Sequence, residues 1–520
     1  MATRQFAMAF PSSGGLPHPP SSDTTSRTSN SLDQASVNVT TTGSTLVTDP
    51  GPGKAFLIFE PVLMRRIVSL GLPVVVGMLT QTAINQVDTL FIGRLDERTA
   101  VAGTAALGYS LILMWAFGGF LAAISVGTQA MTARRYGAGD IEGAGRVLAN
   151  SLALALVSSV LVTALSIAVV PTIFEHLHHD PMVRQLGVEF CEVRFLGILG
   201  MVMTSSLKSF YDGIGRVRVH MTVAILMNVI NFVLCWLLVF GSLGFPRLEV
   251  AGAAWAATVS GLTGTGMMLW WALRREDRRH FKAFRMANLD RSVAAGVARL
   301  SVFSGLATVF VMSGFAVFLA IVGKIDEREQ LAGVNAAATQ LIITITMLIF
   351  MSCIAFGTAT ATLVSQSIGA KKPDLAYRYG WQSVLIITVF MTLVGVLLSL
   401  FPEPVLRVFL PEDRTQSELL KDQVIAVATG SLRFCGLLAP IAAAALVLTQ
   451  ALYGAGEARF VMFAEGLLHL TCLVPLAYVF AITLDFGLIG CWYATAIYGL
   501  GLGVATGVKF WRRGWQHTHI

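Results

Sequence analysis

Charged residues are scarce in this sequence of 520 residues. Only 13% are Asp, Glu, Lys or Arg, about half the usual share in soluble globular domains, whereas 55% are hydrophobic. The apolar residues are gathered in runs of about 20 or more, the length that an α-helix needs to cross a bilayer. This composition excludes a chain of two or three soluble domains and predicts an all-α polytopic membrane protein.

Paired cysteines are also missing. The six cysteines fall inside apolar runs and none forms a CxxC pair, so neither a disulfide framework nor a zinc site is predicted. They are Cys191, Cys235, Cys353, Cys435, Cys472 and Cys491. We therefore expect no metal centre and no cofactor.

Large apolar residues are rare in residues 1–55, which are rich in Ser, Thr, Pro and Gly. Such a composition cannot bury a core, and no apolar stretch follows Arg4 as it would in a secretory signal, so we expect a disordered tail. The rest of the chain is predicted to form an amino-terminal lobe at 56–273, a basic cytoplasmic linker at 274–298, and a carboxyl-terminal lobe at 299–520 with a short cytoplasmic tail.

Twelve transmembrane helices are predicted from the apolar runs. Their predicted bounds are 67–92, 101–133, 147–172, 186–210, 220–241, 249–273, 296–322, 331–368, 380–402, 424–453, 459–484 and 486–511. Most of the 37 lysines and arginines lie in loops on one side of this arrangement. Because cytoplasmic loops carry the excess of basic residues, both termini are expected in the cytoplasm and the protein in the cell inner membrane.

The chain contains an internal repeat. GRLDERTAVAG at 93–103 is matched by GKIDEREQLAG at 323–333, and a further match pairs Gly137 with Gly369. Because the offset of about 230 residues holds six helices, both copies cross the membrane in the same direction. This predicts two six-helix lobes related by a parallel repeat, which is an architecture of alternating access.

An acidic residue lies inside the first predicted helix. Asp88 precedes Gly93 by five residues, about 7–8 Å from the helix end, where an ionised carboxylate costs about 2.5–3.5 kcal/mol or more. Gln81 and Asn85 precede it at helical spacing and give the helix a polar face. This pattern fits an ion or proton site, and it also fits a buried carboxylate that serves packing. Pro73 removes a backbone hydrogen bond and predicts a hinge in the same helix.

Several segments resemble those of the MATE (multidrug and toxic compound extrusion) transporters, over about residues 60 to 510. These segments are LPVVVGMLTQTAINQVDTLFIGRL in the first helix, TARRYGAGD and SQSIGAKKPDLA, YDGIGRVR and LYGAGEAR, and NFVLCWLLVFG followed by VAGAAWAAT. The resemblance implies twelve helices in two lobes. It also implies the export of drugs or other organic, chiefly cationic, compounds in exchange for protons or sodium ions.

The resemblance also implies which residues bind the coupling ion. Asp88 matches the first-helix aspartate of proton- and sodium-coupled prokaryotic members. Asn231 and Cys235 fall on their fifth-helix pattern N-x-x-x-D, with Cys235 in place of the second acid. Thr258 is the nearest candidate for a hydroxyl early in the sixth helix.

Other positions that carry acids in some members do not do so here. The nearest matches in the seventh and tenth helices are Val311 and Ala442, and the repeat partner of Asp88 is Phe318. Coupling is therefore expected in the amino-terminal lobe. Since one carboxylate can take a proton without a second acid, protons are favoured, and Na⁺ at Asp88 stays open.

A second embedded pair lies in the eleventh helix. Glu465 and His469 stand at i and i+4, so their side chains share one face. The pair is either an acid that reaches the cytoplasmic surface beside a packed histidine, or a proton relay in the carboxyl-terminal lobe.

Other functions fit these residues less well. A lipid or oligosaccharide-precursor flippase shares the two-lobed architecture and is the alternative. GAGD at 137–140 with Tyr211 and Asp212 superficially matches an intramembrane aspartyl protease, but both motifs lie at helix ends beside arginines, so we expect no enzyme. A scaffold leaves the repeat and Asp88 unexplained. We expect a monomer among membrane lipids, with small drug-like substrates and no nucleic-acid partner.

Overall fold

The computed structural model describes residues 59–177, 180–330, 333–409 and 418–518. These residues form helices and connecting turns and contain no strand. The tail predicted at 1–55 lies outside the described residues.

Twelve long helices follow one another along the described chain, as predicted. Their bounds are α1 Pro61–Ile92, α2 97–137, α3 Ile141–Leu177, α4 181–213, α5 Arg218–Phe240, α6 Glu249–Leu273, α7 Arg291–Glu329, α8 Val334–Gly369, α9 Pro373–Leu400, α10 Glu418–Ala455, α11 458–483 and α12 Leu488–Trp511. Ten of them hold a stretch long and apolar enough to cross a membrane, and α4 and α6 complete the set within the described residues. A short helix, Arg275–Phe281, lies in the linker between α6 and α7.

Local sequence signals set several helix ends. Pro61 and Pro373 open α1 and α9, where the missing N–H of proline costs nothing. The side chain of Asp290 accepts a hydrogen bond from the backbone N–H of Ser292 at 2.8 Å and so caps α7. Because of this cap, α7 begins before residue 298, where the linker was predicted to end. Gly241 ends α5 with a φ of 70°.

Three of the long helices are interrupted. α2 contains a π-helical turn at Trp115–Gly119, and α4 divides at Gly197 into two α-helical pieces. α11 contains two π-helical turns, His469–Leu473 and Val479–Thr483. π-Helical turns interrupt the regular i→i−4 hydrogen bonds of an α-helix and often lie at functional sites.

The two lobes have separate cores at one end of the bundle. We call this the far end; α1 and α5 finish there. In the amino-terminal lobe its core includes Phe91, Phe190 and Cys235. In the carboxyl-terminal lobe it includes Ile321 and Trp492. Each lobe is therefore packed on its own at the far end.

At the opposite end, which we call the closed end, the lobes share one core. Here α2, α4, α8 and α10 finish. The shared core joins Ile67 and Met131 of the first lobe to Val297, Tyr453 and Trp515 of the second. Continuous burial across both lobes is what holds this end shut.

Polar contacts reinforce the closed end. Nε2 of Gln129 donates to the carbonyl of Thr358 and to Oγ1 of Thr362, both at 2.8 Å. Nε2 of Gln366 donates to the carbonyl of Gly213 at 2.7 Å. These bonds satisfy buried polar groups only while the lobes are in contact, so they belong to this conformation.

Candidate functional site

Asp88 lies near the far end of α1 and is buried, with 1% of its surface exposed. Two hydrogen-bond donors reach it from α5. Nδ2 of Asn231 and Sγ of Cys235 each donate to Oδ1 of Asp88 at 3.5 Å. Because Asn231 and Cys235 are four residues apart, they share one face of α5. The structure thus brings together three of the residues that the resemblance assigned to the coupling site.

The surroundings of this carboxylate are apolar. Phe91 packs edge-on against Phe232, with ring centroids 5.2 Å apart, and against Phe240 at 5.6 Å. In such surroundings a charge is held only at a cost that nearby charges and donors must offset. The guanidinium of Arg194, on α4, supplies a positive charge that acts on Asp88 through space.

One acceptor beside Asp88 is unused. Among the described residues, Oδ1 of Asn231 has no hydrogen-bond donor, although this side chain is fully buried. A buried polar atom left unpaired costs about 1–3 kcal/mol. The O–H of a protonated Asp88, or a bound cation, would satisfy it. Asp88 and Asn231 therefore form a site that can take up one positive charge.

Thr258 does not contact this carboxylate. Its Oγ1 donates to the carbonyl of Val193 at 3.0 Å, beside the interruption of α4 at Gly197. The hydroxyl therefore satisfies a backbone group of α4 that the break would leave weakly bonded. In this conformation Thr258 stabilises α4 and does not complete the site.

α1 links the candidate site to both lobes. At its closed end, Gly71 faces the ring of Phe356 on α8, whereas Asp88 faces α5. Pro73 lies between these two contacts, inside a helix that runs unbroken from Pro61 to Ile92. Gln81 and Asn85 belong to the same helix, and their side chains lie outside what the structure describes. Pro73 therefore lies between the part of α1 that contacts α8 of the other lobe and the part that contacts α5 of its own lobe.

The repeat partner of Asp88 belongs to an aromatic cluster. Phe318 is buried and packs against Phe315, with ring centroids 6.1 Å apart, and against Trp492 at 5.7 Å. The equivalent position of the second lobe therefore serves packing.

Glu465 and His469 are neighbours on α11, but their bond does not use the carboxylate. Nδ1 of His469 lies 3.0 Å from the backbone carbonyl of Glu465. The imidazole also packs on Tyr498, with centroids 4.3 Å apart, where the first π-helical turn begins. The Glu465 carboxylate instead interacts electrostatically with Tyr453 and Tyr498. These tyrosines come from α10 and α12, so spacing along α11 gave no signal for them.

A buried ion pair in α4 was not predicted. Nζ of Lys208 contacts Oδ2 of Asp212 at 2.8 Å, and their side chains are 13% and 2% exposed. The backbone carbonyl of Asp212 accepts a hydrogen bond from Thr362 of the other lobe at 3.0 Å. The i, i+4 spacing of an acid and a base was the signal that could have shown this pair. It also explains Asp212 without protease chemistry.

The GAGD motif can also be placed. Asp140 of the GAGD motif is exposed and accepts a hydrogen bond from the backbone N–H of Gly143, so it is a helix cap. Within the described residues, no cluster of three or more His, Cys, Asp or Glu side chains could hold a metal ion.

The family comparison covers most of the membrane region. The model of the MatE family matches residues 73–237 and 304–479, which together are more than half of the chain. The two matched segments correspond to the two copies of the internal repeat.

Similar proteins span nearly the whole chain. A probable multidrug resistance protein NorM of Thermotoga maritima is 26% identical over 438 residues, covering 83% of this chain and 89% of that protein. A protein with the same description from Geobacillus kaustophilus is 26% identical over 463 residues, covering 86% and 95%.

Solved structures share the fold. A MOP superfamily transporter from Pyrococcus furiosus superposes with a TM-score of 0.78 at 21% identity, covering 88% of this chain and 97% of that one. A MATE transporter in complex with MaL6 gives a TM-score of 0.77 at 22% identity, covering 87% and 95%.

Proposed function

The chain belongs to the MatE family of membrane transporters, and from this premise we propose that it exports drug-like organic compounds, chiefly cations, in exchange for protons. The substrate class is supported by relatives described as probable multidrug resistance proteins that align over more than four fifths of the chain. The membrane character is supported by ten helices that are long and apolar enough to span a bilayer within the described residues.

The proposal that export is coupled to proton uptake rests on the Asp88 site. A buried carboxylate stands beside Asn231, whose Oδ1 has no donor within the described chain. The site is incomplete while Asp88 is ionised, and one proton or one cation completes it. Uptake of this charge is then the event that can alter how α1 packs against α5.

The same site favours a proton over a sodium ion. The fifth-helix position that is acidic in the family pattern is Cys235, whose thiol donates to Asp88. A thiol is a soft donor, whereas Na⁺ prefers several hard oxygens, and of the two α5 side chains that donate to Asp88 only Asn231 carries an oxygen. Sodium coupling is the alternative, and imposed gradients of the two ions distinguish it from proton coupling.

Alternating access is supported by the two ends of the bundle. The lobes share a core at the closed end and have separate cores at the far end. A substrate between the lobes would therefore be reached from the far end in this conformation. We infer that the closed end faces the cytoplasm of the cell, since the basic linker and most other basic loops lie there. Pro73 supplies the place where α1 can bend when the closed end opens and the far end closes.

The second polar cluster is assigned a supporting role. We propose that Glu465 with His469 forms a proton relay in the carboxyl-terminal lobe, in which the charge of the carboxylate also acts through space on Tyr453 and Tyr498. Glu465→Gln should then slow proton-driven export severalfold while substrate affinity stays within about twofold. A wild-type transport rate in this variant would show that the cluster serves only to pack the helices.

The decisive experiment uses purified protein in liposomes. Efflux of the organic cation ethidium is measured under an imposed pH gradient or an imposed Na⁺ gradient, together with the pH dependence of ethidium binding. Asp88→Asn mimics the neutral carboxyl, so proton-driven efflux should fall at least tenfold and ethidium binding should lose its pH dependence. Thermodynamic linkage requires the second loss, because proton and substrate weaken each other's binding by the same factor, and without that coupling a pH gradient cannot drive efflux.

The matched control is Asp96→Asn. Asp96 lies just beyond the end of α1, is 78% exposed and pairs with Arg247 at 3.1 Å, so its neutralisation should leave efflux unchanged. Normal pH-driven efflux in Asp88→Asn would show that Asp88 is structural. Efflux driven by a Na⁺ gradient alone would show that Na⁺, and not the proton, is the coupling ion. Movement of labelled lipid without movement of ethidium would favour the flippase.

A further inference from the structure

The linker between the lobes forms a pocket of about 480 Å³ at the closed end. We call it the basic pocket. It is lined by five cationic side chains and one aromatic ring, namely Arg275, Arg278, Arg279, Lys282, Arg285 and Phe284. Nothing in the transport cycle described above uses this pocket.

The positive charge of the basic pocket is largely unpaired. Among the described residues, the guanidinium groups of Arg275, Arg278 and Arg279 form no hydrogen bond or ion pair, and all three side chains are exposed. Of the two acids on this helix, Asp277 is buried and already bound by Arg216, and Glu276 is exposed and forms no ion pair with the arginines among the described residues. Three clustered cations with no ion-pair partner repel one another, so an anion that bridges them would be bound favourably.

The wall that carries these cations is held in place. Tyr211 donates to Asp277 of the linker helix at 3.3 Å, and Nδ2 of Asn288 donates to the backbone carbonyl of Lys282 at 2.6 Å. Nζ of Lys282 also pairs with Glu142 at the start of α3. The cations are therefore presented on a folded segment, and an anion binds them without first having to order the chain.

The pocket adjoins a surface typical of a membrane interface. Arg274 stacks on Trp270 and Trp271, with its guanidinium 4.0 and 3.8 Å from the ring centroids. Trp270 is 58% exposed and Phe284 is 38% exposed. Tryptophan beside arginine at the end of a spanning helix marks the headgroup level of a bilayer, and exposed apolar side chains there contact acyl chains.

We propose that the basic pocket binds the phosphate headgroup of an anionic membrane phospholipid. The phosphate interacts with the three arginines, and the acyl chains lie along Phe284 and the Trp270 face of α6. The exposed apolar rim favours a lipid over a soluble phosphate, because a soluble anion would gain nothing from it. Basic pockets beside transmembrane helices are suited to such headgroups.

The test uses the full-length protein in zwitterionic micelles. Phosphatidylglycerol is titrated in, and bound lipid is counted by native mass spectrometry; separate samples receive phosphatidylcholine or inorganic phosphate. We expect saturable binding of phosphatidylglycerol only. The triple variant Arg275→Gln, Arg278→Gln, Arg279→Gln should weaken this binding about 100-fold at low salt, since each basic residue near the headgroups contributes about fivefold.

The control variant removes as many exposed cations from other loops of the closed end. Lys371→Gln, Lys372→Gln, Arg512→Gln changes three exposed basic side chains away from the pocket and should keep the wild-type affinity. Equal lipid affinity in both triple variants would overturn the proposal. So would full displacement of the lipid by millimolar inorganic phosphate, since that result would identify a site for soluble anions.

A further measurement does not depend on the variants. In the wild-type protein, phosphatidylglycerol affinity should fall as salt is raised from about 0.01 to 1 M, because screening shortens the reach of the charges from about 30 to 3 Å. A salt-independent affinity would overturn the headgroup contact even if the triple variant failed to fold.

Discussion

Gly137 of α2 and Gly369 of α8 occupy equivalent positions in the internal repeat, and each packs against a backbone carbonyl of the other's helix. Gly137 faces the carbonyl of Gln366, and Gly369 faces the carbonyl of Arg134. Arg134 and Gln366 are themselves equivalent, so the contact is reciprocal. The two lobes therefore meet at the closed end about a local twofold axis, as a parallel repeat requires.

A methyl group at this contact should open the closed end. A Cβ at Gly137 would overlap backbone atoms, which cannot move aside as a flexible side chain can. We expect Gly137→Ala to destabilise the closed contact by about 1–3 kcal/mol. Spin labels on cysteines placed at Ala138 and Lys372, one in each lobe, should then show a longer mean distance in reconstituted protein.

Gly108→Ala serves as the control for this prediction. Gly108 lies on the same helix, and no atom of a neighbouring residue would stand within 4 Å of a Cβ at this position, so the label distance should not change. An unchanged distance in Gly137→Ala as well would show that the two helices can slide to accommodate the methyl group.

A second carboxylate beside Asp88 should alter ion preference. Sγ of Cys235 lies 3.5 Å from Oδ1 of Asp88, so Cys235→Asp places two acids in contact. Two carboxylates at this distance cannot both ionise without a cation between them. We expect Na⁺ to bind at least tenfold more tightly than in the wild-type protein, measured by Na⁺-dependent protection against thermal unfolding.

Cys235→Ser keeps a donor at the same position and adds no charge, so its Na⁺ response should match the wild type. If Cys235→Asp also matched it, the two side chains would have to point apart in the conformation that binds ions.

Breaking the buried pair of α4 should be costly. Asp212→Asn leaves the Lys208 ammonium buried without a counter-charge, which typically costs about 3–5 kcal/mol. We expect a clear fall in the midpoint of thermal unfolding in detergent. Replacing both partners, as Lys208→Met with Asp212→Leu, should recover most of the loss, since no charge is then buried.

An exposed pair provides the comparison. Arg407 and Asp422 lie 3.1 Å apart, but their side chains are 58% and 61% exposed. Asp422→Asn should therefore cost less than about 1 kcal/mol. Equal effects of Asp212→Asn and Asp422→Asn would mean that water reaches Lys208.

Much of the architecture could be predicted from the sequence, because hydrocarbon imposes a strict length on each apolar run. Twelve helices followed from that constraint, the repeat followed from matching segments such as 93–103 and 323–333, and the family pattern aligned Asp88 with Asn231 and Cys235. Thr258 was predicted as a further member of the site, but in this conformation its hydroxyl donates to α4. Its orientation depends on the break in α4 at Gly197, and a local interruption of this kind has no periodic signal.

Contacts between distant helices could not be predicted. Tyr453 and Tyr498 approach Glu465 from two other helices, and Gln129 reaches Thr362 across the lobe boundary. The first arrangement depends on the packing of three helices, and the second exists only in the conformation that closes one end. Neither arrangement produces a residue pattern that can be recognised in the sequence. The inner-membrane location, the orientation of the termini, the monomeric state and the lobe boundaries stay predictions.

The reciprocal glycine contact has a consequence for how the two halves can diverge after duplication. Each glycine packs against backbone of the other half of the repeat, so a bulky side chain at either position would collide with that half and both copies must stay small. Asp88 and Phe318 are also equivalent positions, but their described contacts are with residues of their own lobes. A change at either of these positions therefore does not have to be matched in the other half, and one copy is a carboxylate site whereas the other is a packed aromatic cluster.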